Sequence, residues 1–326
     1  MKTDHLKYLR CPKTKNDLYL KNETIENGRI KEGILYERSS NNEYPIVNFI
    51  PRFVPAENYA SGFGFQWNLH NKTQFDEYSQ INVSEKRFFD ETKWERNLKE
   101  EIILEVGSGS GRFTSQAAST GAVVVSFDYS SAVEANYKSN GQGENVLIVQ
   151  ASVYEMPFPK NYFDKVLCIG VLQHTPDPKK SFLTIAEYLK SHGKIVTDSY
   201  RKSFIKYYSN PKYLVRVFTK GGNAELLYKR IVNWVNFMWP FAKLVRKIDP
   251  RISHRFCVVD HSRLLPNAPD SLIKEWAYLD TFDMLAPMYD FPQTIRTYKR
   301  WHLEAGLENI EVHPGHNGIE ARATKK

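Results

Sequence analysis

Between Glu101 and Tyr200 short β-branched apolar runs alternate with helix-length stretches. The runs are EIILEVG, VVVSFD, NVLIVQAS, FDKVLCIG and GKIVTDSY, each bounded by Gly, Asp or Ser. Strands alternating with helices predict βαβ units and a parallel sheet. After a long interruption the rhythm resumes. QTIRTYKRWHLEAGL reads as a helix closed by Gly306, and NIEVHP and GIEARATKK read as two strands around Gly315–Gly318. The core therefore has seven candidate strands.

The rest of the chain is patterned differently. Residues 1–55 alternate short apolar runs with Asn, Lys and Gly, which predicts a small β-rich module with turns at Asn27-Gly28 and Ser39–Asn42. Residues 56–100 read as a linker and a helix, since Phe88, Phe89, Trp94 and Leu98 fall on a helical period. Residues 201–292 carry apolar positions at helical spacing among many bases and read as a helical insertion into a core formed by 101–200 and 293–326. The expected fold class is α/β: a Rossmann-like seven-stranded sheet with helices on both faces.

Composition narrows the class without naming a function. The chain has 326 residues, 41% hydrophobic and 25% charged, which excludes disordered and collagen-like classes. The opening MKTDHLKYLRCPKTKND has no apolar stretch of signal-peptide length, so the mature protein is expected to begin near Met1. The most apolar window, residues 233–245, is too short for a membrane span and is broken by Pro240. Three scattered cysteines argue against a disulfide framework and for a cytoplasmic location. Charge is uneven. Residues 201–256 hold 13 Lys or Arg against two acids, a surplus larger than the whole chain's net +8. An anionic partner is expected to meet the protein there.

Candidate chemistry begins where the first core strand runs into EVGSGSGRF. Gly107, Gly109 and Gly111 let the backbone approach a ligand, and the helix that follows offers free N–H groups. A tight turn without a ligand has the same signature. About twenty residues on, Asp128 ends the second strand, where a carboxylate accepts hydrogen bonds from a ribose diol or caps the next helix. These features alone suit a nicotinamide enzyme equally well.

Downstream residues separate the two. The stretch ASVYEMPFPKNYFDKVLCIGVLQHTPDP, residues 151–178, with its MPF turn and VLQHTPDP loop, resembles the class I methyltransferases, in particular their type 11-like subgroup. The resemblance covers residues 101–200 and the last two strands, and implies S-adenosyl-L-methionine as cofactor. It implies that Glu105 and the three glycines face the methionine part, that Asp128 holds the ribose, and that Ser152 and Val153 lie beside the adenine. Ile169 and Gly170 would edge the pocket. Ser152 departs from the subgroup's usual Asp, which leaves adenine recognition without a charge.

A sulfonium is already a good leaving group, so the protein must mainly align the acceptor and take its proton. His174, after the fourth core strand, is the nearest base by fold analogy; it also suits a helix cap. In the insertion Asp260, His261, Asp280, Asp283, Tyr289 and Asp290 are further candidates for a substrate pocket or a lid surface, with Asp283 and Tyr289 put forward as catalytic. FGFQWN (63–68) and FDMLAPMYDFPQT resemble stretches paired in a bacterial methyltransferase group, which implies that both close over the active site.

The N-terminal module resembles small zinc-ribbon-like domains. Its turn, Cys11-Pro12-Lys13-Thr14, lacks the second cysteine, so Cys11 is expected to be a core thiol and no metal is expected. Three readings of the basic insertion stay open. Tyr207, Tyr208, Tyr213, Trp234, Phe237 and Trp239 among the bases suit an amphipathic lid, a peripheral contact with an anionic inner-membrane surface, or RNA stacking. The expected function is methyl transfer to an oxygen of a sugar, glycolipid or other small acceptor. The alternatives are RNA methylation and a non-catalytic protein that keeps the fold.

Overall fold

The computed structural model describes residues 1–55, 58–202 and 211–326. Its centre is a seven-stranded sheet of β5 (Ile102–Val106), β6 (Val123–Asp128), β7 (Val146–Gln150), β8 (Phe163–Cys168), β9 (Leu189–Ser199), β10 (Leu307–Gly315) and β11 (Gly318–Lys325), in the order β10-β11-β9-β8-β5-β6-β7. β5 to β9 run parallel; β11 enters antiparallel to β9, with Ile319 opposite Ser199. All seven strands expected from the apolar runs are present. The sheet is Rossmann-like, with helices on both faces.

Alternation along β5 explains why both faces need cover. Leu104 and Val106 point into one core, with Phe158, Phe182, Tyr298 and the N-terminal module. Ile103 points into the other, with Phe88, Phe113 and Ala117. The covering helices are α4 (Arg112–Ser119), α5 (Val133–Asn140), α6 (Pro178–Ala186) and α10 (Ile295–Glu304).

The N-terminal strands β1 (Tyr19–Glu26), β2 (Arg29–Tyr36), β3 (Glu43–Val47) and β4 (Ile50–Pro51) form a separate antiparallel sheet. Arg52 fastens it to the main sheet: its guanidinium reaches Gln150 Oε1 at 2.9 Å and also pairs with Glu134. Cys11 is buried, with its Sγ 3.4 Å from the Tyr44 hydroxyl.

Three short helices follow: α1 (Ser61–Leu69), α2 (Asp76–Ser79) and α3 (Ser84–Thr92). Here the pattern misleads in two ways. FGFQWN lies on a helix that the sequence reading did not predict. The helix expected through Leu98 stops at Thr92, because Lys93 takes a left-handed conformation at φ 54°. Trp94 and Leu98 are buried all the same, as extended chain packed on Phe88 and Ile103. Apolar spacing reported burial here, not helix.

The insertion has its own core. It comprises α7 (Lys212–Thr219), α8 (Ala224–Arg246) and α9 (Asp270–Leu285), with Ile231, Val235, Trp239 and Ala242 of α8 packed on Leu272, Ile273, Trp276 and Ala277 of α9. Pro240 does not break the apolar window, contrary to expectation. α8 runs through it, and Asn236, whose carbonyl the proline leaves without a helical donor, is exposed to water. Among the described residues no helix is long and apolar enough to cross a membrane. Tyr207 and Tyr208 lie outside the described residues.

Candidate active site

The loops after β5, β6, β7, β8 and β9 all open at the carboxyl ends of the parallel strands. β5 is the switch point, with β6 on one side and β8 on the other, and open α/β sheets bind ligands in that crevice. Gly107, Gly109 and Gly111 have φ of 74°, 54° and 90°, a region costly for any residue with a Cβ. Space forbids a side chain as well. A Cβ at Gly107 would lie 2.3 Å from Val171 Cγ2, and one at Gly111 would lie 2.2 Å from Asn136 Oδ1.

Asp128 ties this loop to the second strand. Its Oδ2 accepts from Gly109 N at 3.0 Å, and its Oδ1 accepts from Ser130 N and Oγ at 2.8 and 2.7 Å. Burial pushes its carboxyl pKa upward, against those hydrogen bonds. Beyond β7, Ser152 turns its hydroxyl to Tyr154 N at 3.2 Å, and Val153 is buried beside it. Beyond β8, Ile169 is buried and Gly170 exposed, with Gly170 N donating to Asp198 Oδ1 at 2.5 Å.

Glu105 does not lie open to a ligand. It is buried beneath the loop, where its Oε2 accepts from Ser126 Oγ at 2.8 Å and from Thr114 Oγ1, and Asn136 Nδ2 donates to both hydroxyl oxygens. Burial raises its pKa from 4.5 to about 7. The folded state thus holds a proton that the unfolded chain releases. Stability is greatest below pH 4.5 and falls as pH rises to 7, by about 3 kcal/mol for this group. Glu105→Gln keeps an acceptor without the charge, so its denaturant midpoint is expected to fall less over that window than the wild type's. Parallel pH profiles would refute this assignment.

His174, Asp283 and Tyr289 converge, although more than a hundred residues separate the first from the others. His174 Nδ1 lies 2.9 Å from the Tyr289 carbonyl oxygen, and its ring packs between Phe63 and Tyr200, with centroids at 5.1 and 5.3 Å. The Tyr200 hydroxyl donates to Asp283 Oδ2 at 3.2 Å, and Gln66 Nε2 donates to Oδ1 at 3.4 Å. Burial raises the Asp283 pKa, and the neighbouring His174 opposes that shift. Tyr289 meets the group through its backbone. Its backbone carbonyl meets His174, while its ring packs on Tyr59 and Phe291.

The other insertion candidates are engaged elsewhere. Asp260 pairs with Arg246 at 2.8 Å, Asp290 pairs with Lys212 at 2.9 Å, and His261 Nε2 lies against the Asp280 carboxylate. Outside the cleft, Glu91, His316 and Glu320 bring potential metal-ligand atoms within 4.8 Å of one another, a grouping not anticipated from sequence.

Sequence reasoning also missed Tyr200, Gln66 and Arg112. Arg112 stands inside the motif itself. Its guanidinium lies 4.5 Å from the Phe113 ring centroid, with no hydrogen bond or ion pair among the described residues. Burial, with Arg87 nearby, pushes its pKa down to about 9. Orphaned buried polar atoms recur at the strand ends: Ser108 Oγ after β5, both amide atoms of Gln173 after β8, and Ser199 Oγ on β9. Such atoms are rare in folded proteins and call for a partner. Beside them α1 and the insertion enclose a cavity of about 200 Å³, lined by Tyr59, Phe63, Gln66, Leu227, Pro287 and Met288. Gly64 brings α1 this close, since a Cβ there would stand 2.3 Å from Ser131 Oγ.

The stretch carrying the glycine loop, Asp128 and His174 matches the profile of a known family over residues 104–197. The profile is that of a methyltransferase domain. The cofactor such a domain implies is S-adenosyl-L-methionine. The positive-φ loop, the strand-end carboxylate, the unpaired Arg112 and the orphaned polar atoms fit a ligand with a ribose diol and a carboxylate. Among curated proteins, the chain is similar to the ubiquinone biosynthesis O-methyltransferase of Nitrosomonas europaea, 26% identical over 46% of this chain and 65% of that one. The protein of the same name from Saccharophagus degradans is 26% identical over 48% of this chain and 66% of that one. The matched stretch thus spans less than two thirds of either relative. Among solved structures, a putative S-adenosyl-L-methionine-dependent methyltransferase of Methanococcus maripaludis overlays 84% of this chain and 96% of its own, with 16% identity and a TM-score of 0.46.

Proposed function

We propose that the protein is an S-adenosyl-L-methionine-dependent O-methyltransferase acting on a small hydroxyl-bearing acceptor of the sugar, glycolipid or related class. The observation that carries this reading is that the cavity under α1 shares residues with the His174–Asp283 pair. Phe63 and Gln66 line that cavity, and they also touch His174 and Asp283.

When bound, the cofactor supplies the methyl group. Asp128 would accept the ribose hydroxyls, and Arg112 would face a carboxylate. The Tyr289 carbonyl can only accept, so His174 Nδ1 carries the hydrogen, and in the neutral ring the lone pair sits on Nε2. Nε2 is then the nitrogen able to take the acceptor's proton. Asp283, held by Tyr200 and Gln66, would stabilise the imidazolium formed. The mixed lining, with Asn58, Ser61 and Gln66 beside Phe63, Leu227 and Met288, suits an acceptor that presents hydroxyl groups on a partly apolar body. The names of the two relatives support oxygen as the methylated atom.

Methyl-labelled cofactor incubated with the protein and fractionated cell extract tests the reading. Label is expected in a small-molecule or lipid fraction, at a base-stable ether carbon. Label in RNA or protein, or no transfer to any fraction despite cofactor binding, would overturn it.

A further inference from the structure

The long helix of the insertion is apolar on two opposite sides, and only one of them is covered. Ile231, Val235, Trp239 and Ala242 of α8 face α9. Leu226, Trp234, Phe237, Phe241, Leu244 and Ile248 face water, with Phe237 76%, Leu244 60% and Ile248 78% exposed. From 234 to 244 they recur every three or four residues, which sets them on one stripe about three turns long; Arg230 fills the gap after Leu226, and Ile248 continues the row just past the end of α8. Helix α7 adds Leu214, Val217 and Phe218, all strongly exposed. A row of large apolar side chains of this kind on an exposed helix face marks an interaction site.

Charge identifies the occupant. Lys220, Arg230, Lys247 and Arg255 are exposed, and none has an ion pair among the described residues. A second copy of the chain docked on this stripe would bring these cations against their own kind. A polynucleotide would answer the cations but leave Leu226, Leu244 and Ile248 with nothing to pack on, and Trp239, one of the aromatics suited to stacking, is buried with its Nε1 bonded to Asp270. An anionic bilayer answers both: headgroups take the cations, and the acyl boundary takes the apolar stripe.

We infer that α8 is a peripheral membrane-binding helix, lying in the plane of an anionic lipid surface with the Trp234–Ile248 stripe inserted. This does not depend on the methyl-transfer reading. The full chain is expected to float with phosphatidylcholine vesicles that contain phosphatidylglycerol, about tenfold better than with phosphatidylcholine alone, and less well as salt rises. The double variant Phe237→Glu/Leu244→Glu is expected to reduce flotation at least about tenfold, and Arg230→Glu/Lys247→Glu to do the same for anionic vesicles only. Both alter exposed positions, so circular dichroism should match the wild type. The proposal fails if neither vesicle is bound or if the glutamate pair binds as well as the wild type. It also fails if the stripe variant converts a dimer to a monomer, or if single-stranded RNA binds through the same residues and displaces the vesicles.

Discussion

Asp128→Asn is expected to weaken S-adenosylmethionine binding about 100-fold in a calorimetric titration, with little change in thermal stability. A ribose diol offers two hydroxyl donors, and a carboxylate answers both with charge-assisted bonds, each worth about 1.5–3 kcal/mol. The amide replaces one acceptor by a donor and removes the charge, so about 2–3 kcal/mol is lost, which is the stated factor. The amide oxygen can still accept from Gly109 N or from Ser130 but not from both, so one of the loop's two anchors is kept and one is lost, a cost of about 1 kcal/mol that lowers Tm only modestly. Binding within threefold of wild type would remove Asp128 from the cofactor site. A loss of affinity accompanied by a large fall in Tm would make it a loop anchor only.

His174→Gln is expected to lower kcat by about 10² to 10⁴ while leaving cofactor affinity within a few fold, the range for loss of a positioned general base. Gln is the informative replacement because its amide can still donate to the Tyr289 carbonyl and fill space between Phe63 and Tyr200, yet cannot take a proton. Tyr289→Phe is the matched control. The contact to His174 is made by the Tyr289 backbone carbonyl, so losing the hydroxyl should cost little. Activity of His174→Gln above one tenth of wild type would reduce His174 to a packing residue.

Legibility differed along the chain for definite reasons. The core strands could be read because each is a short apolar run bounded by turn residues. The glycine loop could be read because its positive φ values admit little else. The 84–98 segment was misread because Trp94 and Leu98 obey the helical period without a helix, their burial coming from Phe88 and Ile103. Glu105 sits in the motif beside the glycines, but its side chain points under the loop, and no sequence signal separates those directions.

What the sequence alone determined about this protein is local: the βαβ rhythm, the Gly107–Gly111 turn, the strand-end Asp128 and the basic surplus of residues 201–256. Each depends on residues within a few positions of one another, through backbone sterics, side-chain periodicity or simple charge. Only the tertiary structure brought Tyr200, Gln66 and Asp283 to His174, and only it turned the Tyr289 carbonyl rather than its hydroxyl toward the imidazole. It also decided which apolar side of α8 is core and which is surface. A helix apolar on both sides carries no internal mark of which side a neighbour will cover. That choice was made by α9, whose Leu272, Ile273 and Trp276 cover one side and leave Phe237, Leu244 and Ile248 to the solvent.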